Sequence, residues 1–437
     1  MPGDHSFSVL RSARERHSQR SRLGLGALVL LLLMLAALGG CADRSVDAIG
    51  KYRGDEEEMM SIPYTPRDDG QPLTAAELYA FKTVSDLDRD LSEEEAHIVE
   101  LHFKFFVHEH RRTFERFVQR SARFLPHVRK TFAERGIPGD IAYLCMVESG
   151  GNPVSRSPMG AAGLWQFMPS TGRRYGLTQN NWIDERRDPY KATAAASEYL
   201  LKLYQDFSNW HLAVAAYNAG EGKIGRAVSG TGAKDFFDLC RLDGQLDERE
   251  RLREETRDYV PRLIAVAKIM RNLNRLGFEQ STPDMVWNLK PVDVPPNTNL
   301  AGLAARLGIT WEDFSGMNPA YRRTTSPPTG STTAYVPPEK LAQASAWVAG
   351  NEARKPSGWQ EYTVQRGDTL IKVAKRYNVA PAAIKDANGF DKFPGRGAVI
   401  LIPAKGASVA PAYGGSPTGT SPGVYTVKAG DTLSQLA

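Results

Sequence analysis

The chain has 437 residues, 41% of them hydrophobic, and a formal net charge of +5. That length suffices for two or more independently packed units, so a modular protein is expected. Five Arg against Asp4 and Glu15 in the first 40 residues leave only +2 for everything after them. With no concentrated basic stripe to hold phosphates, nucleic acid is not indicated as a partner.

In chain order, the first expected element is an export signal over residues 1–40. Basic residues from Arg11 to Arg22 precede "LGLGALVLLLLMLAAL", sixteen uncharged residues at 23–38, and then "GGC". A charged start, an apolar middle and small residues before a cut describe a secretory signal peptide. As a helix the apolar run would rise only about 24 Å, short of the roughly 30 Å of a bilayer's hydrocarbon core. "LGGC" resembles a bacterial lipobox, which implies cleavage before Cys41 and lipid attachment to that residue. In that pattern an Asp after the cysteine retains a lipoprotein in the inner membrane. Ala42 stands there instead, so the expected location is the outer membrane, lipid-anchored and facing the periplasm. Each buried methylene of such an anchor contributes about 0.8 kcal/mol. An oxidising compartment would permit a bridge between Cys145 and Cys240, while Cys145, within an apolar run, would equally serve as a free buried thiol.

Residues 41–95 begin charged and Pro-containing ("RGDEEEMMSIPYTPRDDGQP") and read as a spacer. Residues 96–280 carry apolar side chains three and four apart, as in "IVELHFKFFVHEHRRTFERFVQRSARFLPHVRKTFAERG" and "YVPRLIAVAKIMRNLNRLG", so this domain should be mostly α. A repeat follows. "YTVQRGDTL", starting at Tyr362, is echoed sixty-three positions later by "YTVKAGDTL". A fainter copy at 291–338 aligns Val294, Leu300, Ala304, Arg306, Ile309 and Asn318 with Val364, Leu370, Ala374, Arg376, Val379 and Asn388, but has Asn297 and Thr298 in place of the Gly-Asp pair. The copy at 361–404 reads as strand, helix, helix, strand. Residues 405–424 form a Gly, Pro, Ser and Ala linker, and 425–437 begin a further copy that stops midway.

The chemistry centres on "IPGDIAYLCMVESGG". Ile141, Leu144, Cys145 and Glu148 fall on one helical face, with Gly150 and Gly151 next, so Glu148 should sit in a last helical turn among apolar neighbours. The negative end of the helix dipole and desolvation both disfavour its ionised form, so its pKa should rise, as a general acid requires. Read alone, Glu148 could equally be paired with an Arg or solvated at a helix end.

"ESGGNPVSRSPMGAAGLWQFMPSTG" resembles the signature of the lytic transglycosylase family with the goose-type lysozyme fold, through Glu148, Ser149, Ser157, Gly163, Leu164, Gln166, Met168 and Pro169. "AVAAYNAGEGKIGRA" matches a second family element through Tyr217, Asn218 and Gly220, and "EETRDYVPRLIAVAKI" a third through Glu255, Thr256, Tyr259 and Val260. With the lipobox and the repeats, the layout is similar to the membrane-bound lytic murein transglycosylase D group. The fold this implies is mainly α, a lysozyme-like (goose-type) domain followed by small βααβ LysM modules.

The resemblance implies cleavage of the bond between N-acetylmuramic acid and N-acetylglucosamine in peptidoglycan. Glu148 would protonate the bridging oxygen and then take the proton of the muramic C6 hydroxyl, leaving a 1,6-anhydro end. Ser149, Ser157, Gln166, Met168 and Tyr259 would contact substrate, Tyr217 and Asn218 would contact it while flanking the acid, and Glu255 would position substrate, act as a second carboxylate or cap the helix of Tyr259. Neither cofactor nor metal is implied. The LysM pattern implies glycan binding near Gly367, Asp368, Thr369, Asn388 and Gly389, although Gly-Asp-Thr could also turn the chain and cap a helix. Two other functions stay open: a hydrolytic muramidase, which would need a water-activating carboxylate such as Glu221, Asp184 or Glu255, and a non-catalytic wall-binding lipoprotein.

Overall fold

The computed structural model describes residues 66–403 apart from 89–90, 279–287, 328, 351–352, 354–358 and 389–391. Cys41, the signal segment, Gly389, the 405–424 linker and the 425–437 copy lie outside the described residues.

A helical unit is built around Glu254–Arg271, which buries residues on nearly every side, from Thr256 and Tyr259 to Ile269 and Met270. It packs along Glu93–Lys104, a helix started by a capping box in which Ser92 and Glu95 satisfy each other's backbone N–H groups. The long helical pattern expected over 98–136 is broken into Glu93–Lys104, a π-helical turn at Phe105–Glu109, Arg111–Ser121 and Leu125–Glu134. Phe103, Phe105, Phe106 and Val107 are all buried, and a regular helical period cannot turn all four inward; the widened turn does so. Pro189–Phe207 starts on Asp188, whose carboxylate caps two backbone N–H groups, and packs against Trp210–Ala219.

The spacer expected up to residue 95 ends sooner. Residues 66–88 belong to the helical unit: Ala80 and Leu87 sit in its core, Lys268 donates to the carbonyls of Phe81 (2.7 Å) and Thr83 (3.1 Å) and pairs with Asp88, and the Asp86 N–H donates to Asp140 (2.7 Å). The charged run before this segment masks a short sequence, Leu73 to Leu87, that has enough apolar side chains to bury. Cys145 and Cys240 are free thiols, so the bridge is not formed; burial pushes Cys145 up to about 12 and leaves it an inert apolar side chain.

Two βααβ modules follow. In the first, β1 (Lys290–Val294) pairs antiparallel with β2 (Thr332–Val336), and the helices Leu300–Arg306 and Trp311–Met317 lie between them in sequence. A third helix, Leu341–Ala349, was not expected; it packs on β1 and adds Ala344 and Val348 to the module's core. The second module pairs β3 (Trp359–Thr363) with β4 (Val399–Pro403) around the helices Leu370–Tyr377 and Pro381–Asn388.

The first module is docked on the helical unit. Ile183 forms a bridge with Tyr321 and joins the module's apolar core. The Asp184 N–H donates to the Ala320 carbonyl and the Arg322 N–H to the Trp182 carbonyl, both at 2.9 Å. Tyr190 and Tyr335 stack with centroids 4.3 Å apart, a contact of about 0.5–1.5 kcal/mol beyond area burial.

Candidate active site

Glu148 is the penultimate residue of the short helix Leu144–Ser149, which follows a 3₁₀ turn at Gly139–Tyr143. Gly150 ends the helix in the left-handed region (φ 58°). Gly151 continues it (φ 73°), and a Cβ there would lie 2.1 Å from Ser121 Oγ, so both steric space and backbone demand glycine. Ile141, Leu144 and Cys145 are buried beneath the acid, as the spacing predicts, although Ile141 belongs to the 3₁₀ turn.

The acid accepts a hydrogen bond at Oε1 from the Tyr259 hydroxyl. Burial of the carboxyl pushes its pKa up to about 8; the Tyr259 bond pulls it down, and the negative charge of Glu255 adds to the rise. The residue as a whole keeps partial exposure. Tyr259 and Tyr217 both have phenols held well above their usual range, first by burial and then by the charge of Glu148.

A loop at residues 155–168 passes over this helix end, and side chains claim its carbonyls in succession. Gln166 Nε2 donates to Gly163 O (2.8 Å), Ser149 Oγ to Leu164 O (3.0 Å), the Tyr217 hydroxyl to Trp165 O (2.8 Å) and Arg186 Nη1 to Phe167 O (3.0 Å). Trp165 is fully buried, with its indole N–H on Thr193 (3.0 Å). Gln166 adopts φ 44°, a left-handed conformation uncommon for a side chain of this size, and Gly163 at φ 84° leaves no room for a Cβ beside the Arg186 carbonyl. Met168 is 40% exposed just beyond the loop's last bridge. Ser157 shapes the loop's far turn, with Oγ accepting from the Ala161 N–H (3.1 Å).

Across the acid, Asn218 at the end of Trp210–Ala219 donates to Glu255 (3.3 Å) and accepts from Thr256 (2.8 Å), tying that helix to the first turn of Glu254–Arg271. Thus Tyr259 bonds the acid itself, Ser149 and Tyr217 hold the carbonyls of Leu164 and Trp165, Asn218 is tied to Glu255, and Gln166 and Met168 are carried on the loop so held. Ser149 is corrected from a substrate contact to a holding group, because it is 1% exposed and its hydroxyl is engaged with the Cys145 and Leu164 carbonyls and the Asn152 N–H. Arg186 was not anticipated; it lies in a charged "DERRDP" run with no signal that one guanidinium turns inward.

The alternative carboxylates are engaged in ion pairs or hydrogen bonds. Glu221 accepts from Tyr199 (2.7 Å) and Arg174 (2.9 Å), and its pKa falls to about 2 as these bonds outweigh desolvation. Asp184 forms a two-point pair with Arg186 (2.9 and 2.7 Å). In the second module, Gly367 turns the chain at φ 85°, Thr369 caps the next helix, and Asp368 accepts from Gln365 N (2.7 Å), Tyr362 and Arg376. Asn388 donates to Ile384 O (2.7 Å), just as Asn318, its counterpart in the first module, donates to Phe314 O (3.0 Å).

Residues 130–239 match the family model described as a transglycosylase SLT domain, 288–348 the lytic transglycosylase MltD LysM-like domain, and 362–392 and 425–437 the LysM domain. Membrane-bound lytic murein transglycosylase D of Escherichia coli is 31% identical over 322 residues, 70% of this chain and 67% of that protein. The soluble lytic murein transglycosylase of the same species is 32% identical over 123 residues, 27% of this chain and 18% of that protein. Among solved structures, the 70 kDa soluble lytic transglycosylase from Escherichia coli aligns at 22% identity over 46% of this chain and 33% of that one, with a TM-score of 0.29.

Proposed function

The chain belongs to the membrane-bound lytic murein transglycosylase D family, and from that premise we propose that Glu148 is its single acid and base and that its product is a 1,6-anhydro-N-acetylmuramic acid end. The protein is a peptidoglycan lytic transglycosylase with LysM domains. The observation that carries the proposal is a desolvated Glu148 carboxyl, in a residue that keeps partial exposure, whose pKa is raised to about 8 and whose hydrogen-bond partner is a neutral phenol.

Tyr259 donates to Oε1, which leaves Oε2 to carry the proton. From there it passes to the glycosidic oxygen between N-acetylmuramic acid and N-acetylglucosamine as the C1–O bond breaks. The carboxylate so formed takes the proton of the muramic C6 hydroxyl, whose oxygen bonds to C1. Atoms balance without water, Glu148 ends protonated again, and attack from within the same sugar has the advantage of proximity. Gln166 and Met168 would orient and line the sugar, Ser157 would shape the loop edge, and Asn218 with Glu255 would set the field at the acid. A hydrolase would need a second carboxylate free to activate water; the ion pairs of Glu221 and Asp184 argue against those two, and Glu255 is left as the one such candidate, held by Asn218.

Mass spectrometry of murein digested by the purified protein tests this. Products lighter by one water, with anhydro ends, support the proposal; reducing ends contradict it. Lipid attachment at Cys41 would place the enzyme on the periplasmic face of the outer membrane, consistent with a membrane-bound relative and with no described helix long and apolar enough to cross a bilayer. Cys41→Ala should then move the protein to the soluble fraction. Gly367, Thr369 and the Asn388 turn are the proposed glycan contacts of the second module, with Asp368 holding their loop in shape.

A further inference from the structure

Of the four side chains that hold the carbonyls of Gly163, Leu164, Trp165 and Phe167, Arg186 is the one tied to the LysM-like module. It is 5% exposed, and its guanidinium bonds Gly160 O (2.7 Å) and Phe167 O (3.0 Å) on the loop and both oxygens of Asp184 on the other side. Its own carbonyl sits where a Gly163 Cβ would be, and its aliphatic stem lies against Gly172. Asp184 in turn gives its N–H to Ala320 of the LysM-like module, beside the Ile183 to Tyr321 bridge, while Arg322 of that module donates to Asn180 O (2.9 Å). The path from module to loop is therefore continuous: Ala320, Asp184, Arg186, then the carbonyl between Gln166 and Met168.

We propose that Arg186 is a positioning residue through which the docked LysM-like module sets the geometry of the glycan-contacting loop, so that this module is part of the active-site scaffold and not only a tether to the wall. The proposal rests on the reading of Gln166 and Met168 as glycan contacts. A fork of five N–H donors in one plane can serve two carbonyls and a carboxylate at once; an ammonium of the same charge cannot hold that geometry. Loss of the fork leaves the loop's charge balance and Glu148 untouched but lets Phe167, and with it Gln166 and Met168, drift from the sugar.

The test uses the full chain and soluble, uncross-linked N-acetylglucosamine–N-acetylmuramic acid oligosaccharides, too short to engage a LysM module and the cleft together. Arg186→Lys should raise KM about tenfold, with kcat within about threefold and the pH dependence of kcat unchanged. Arg322→Ala should raise KM about threefold, and the two changes combined should fall short of the product of their separate effects, as coupled groups do. An unchanged KM in a folded Arg186→Lys protein overturns the proposal, and strictly multiplicative effects overturn the module's part in it. Should Arg186→Lys fail to fold, as thermal melting would reveal, Arg322→Ala decides alone: a raised KM supports the coupling and an unchanged one overturns it. Gln166→Ala separates the layers: if it raises KM while Arg186→Lys does not, only this proposal fails, whereas if it leaves KM unchanged, the loop's glycan role fails and takes the proposal with it.

Discussion

Glu148 and Glu221 are linked through two packed phenol rings, since Tyr217 lies against Tyr199 with centroids 5.3 Å apart, Tyr217 feels the charge of Glu148, and Tyr199 donates to Glu221. Their environments act in opposite senses. The Glu148 carboxyl is desolvated, with a phenol donor and a second carboxylate nearby, and rises to about 8; Glu221 has a phenol, Arg174 and Lys202, and falls to about 2. A tyrosine bond is common to both, so the difference comes from desolvation and from the sign of the neighbouring charge. One environment favours the protonated acid, and the other makes an ion pair that joins the helix Pro169–Arg174 to Glu221–Thr231.

The sharpest way to break this contrast is to neutralise each acid. Glu148→Gln should lower the cleavage rate by about 10²–10⁴ while murein binding persists, whereas Glu221→Gln should keep cleavage within about threefold; a sedimentation assay and product release measure the two. Glu148 also carries a stability cost. Its folded pKa lies above its unfolded one, so the folded state holds a proton that the unfolded chain gives up, and stability falls as pH rises between about 4.5 and 8. Glu148→Gln should therefore be more stable than the parent by up to about 4 kcal/mol at pH 8 and close to it at pH 4, as chemical denaturation would show.

The next effects concern the neighbours. Tyr259→Phe removes the bond that lowers the acid's pKa, so the alkaline limb of kcat/KM should move upward, with kcat reduced about tenfold. Glu255→Gln removes a negative charge and should move the same limb downward. Opposite movements sharpen the account; a common direction would break it. The smallest effect is on the other side of the tyrosines. Glu221's pKa is depressed in the folded state, so its contribution is present above the unfolded value and lost as pH falls towards 2. Glu221→Gln should cost about 1–2 kcal/mol at pH 7, with the gap closing between about pH 4 and 2, solvent screening keeping it modest.

The helix-end placement of Glu148 was legible because an apolar helical face ended in one acid and two glycines, but that local pattern left its role open, and only the motif from Glu148 to Pro169 singled it out. The two βααβ modules were legible through their repeat, including the copy without the Gly-Asp pair. Three things were not. Arg186 depends on a contact made across the loop, which no spacing encodes. Ser149 lies beside the acid in sequence, yet its side chain faces inward, because neighbours on a helix point about 100° apart. The first module's docking surface and third helix arise from Ile183, Tyr190 and the Leu341–Ala349 segment, whose roles appear only once the module is placed.

Glu148 is expected to stay protonated at neutral pH until substrate arrives. Carbon-13 titration of its side-chain carboxyl in the full chain, assigned by comparison with Glu148→Gln, tests it most directly. A midpoint near 8 is predicted; a midpoint near the ordinary glutamate value of about 4.3 would contradict it.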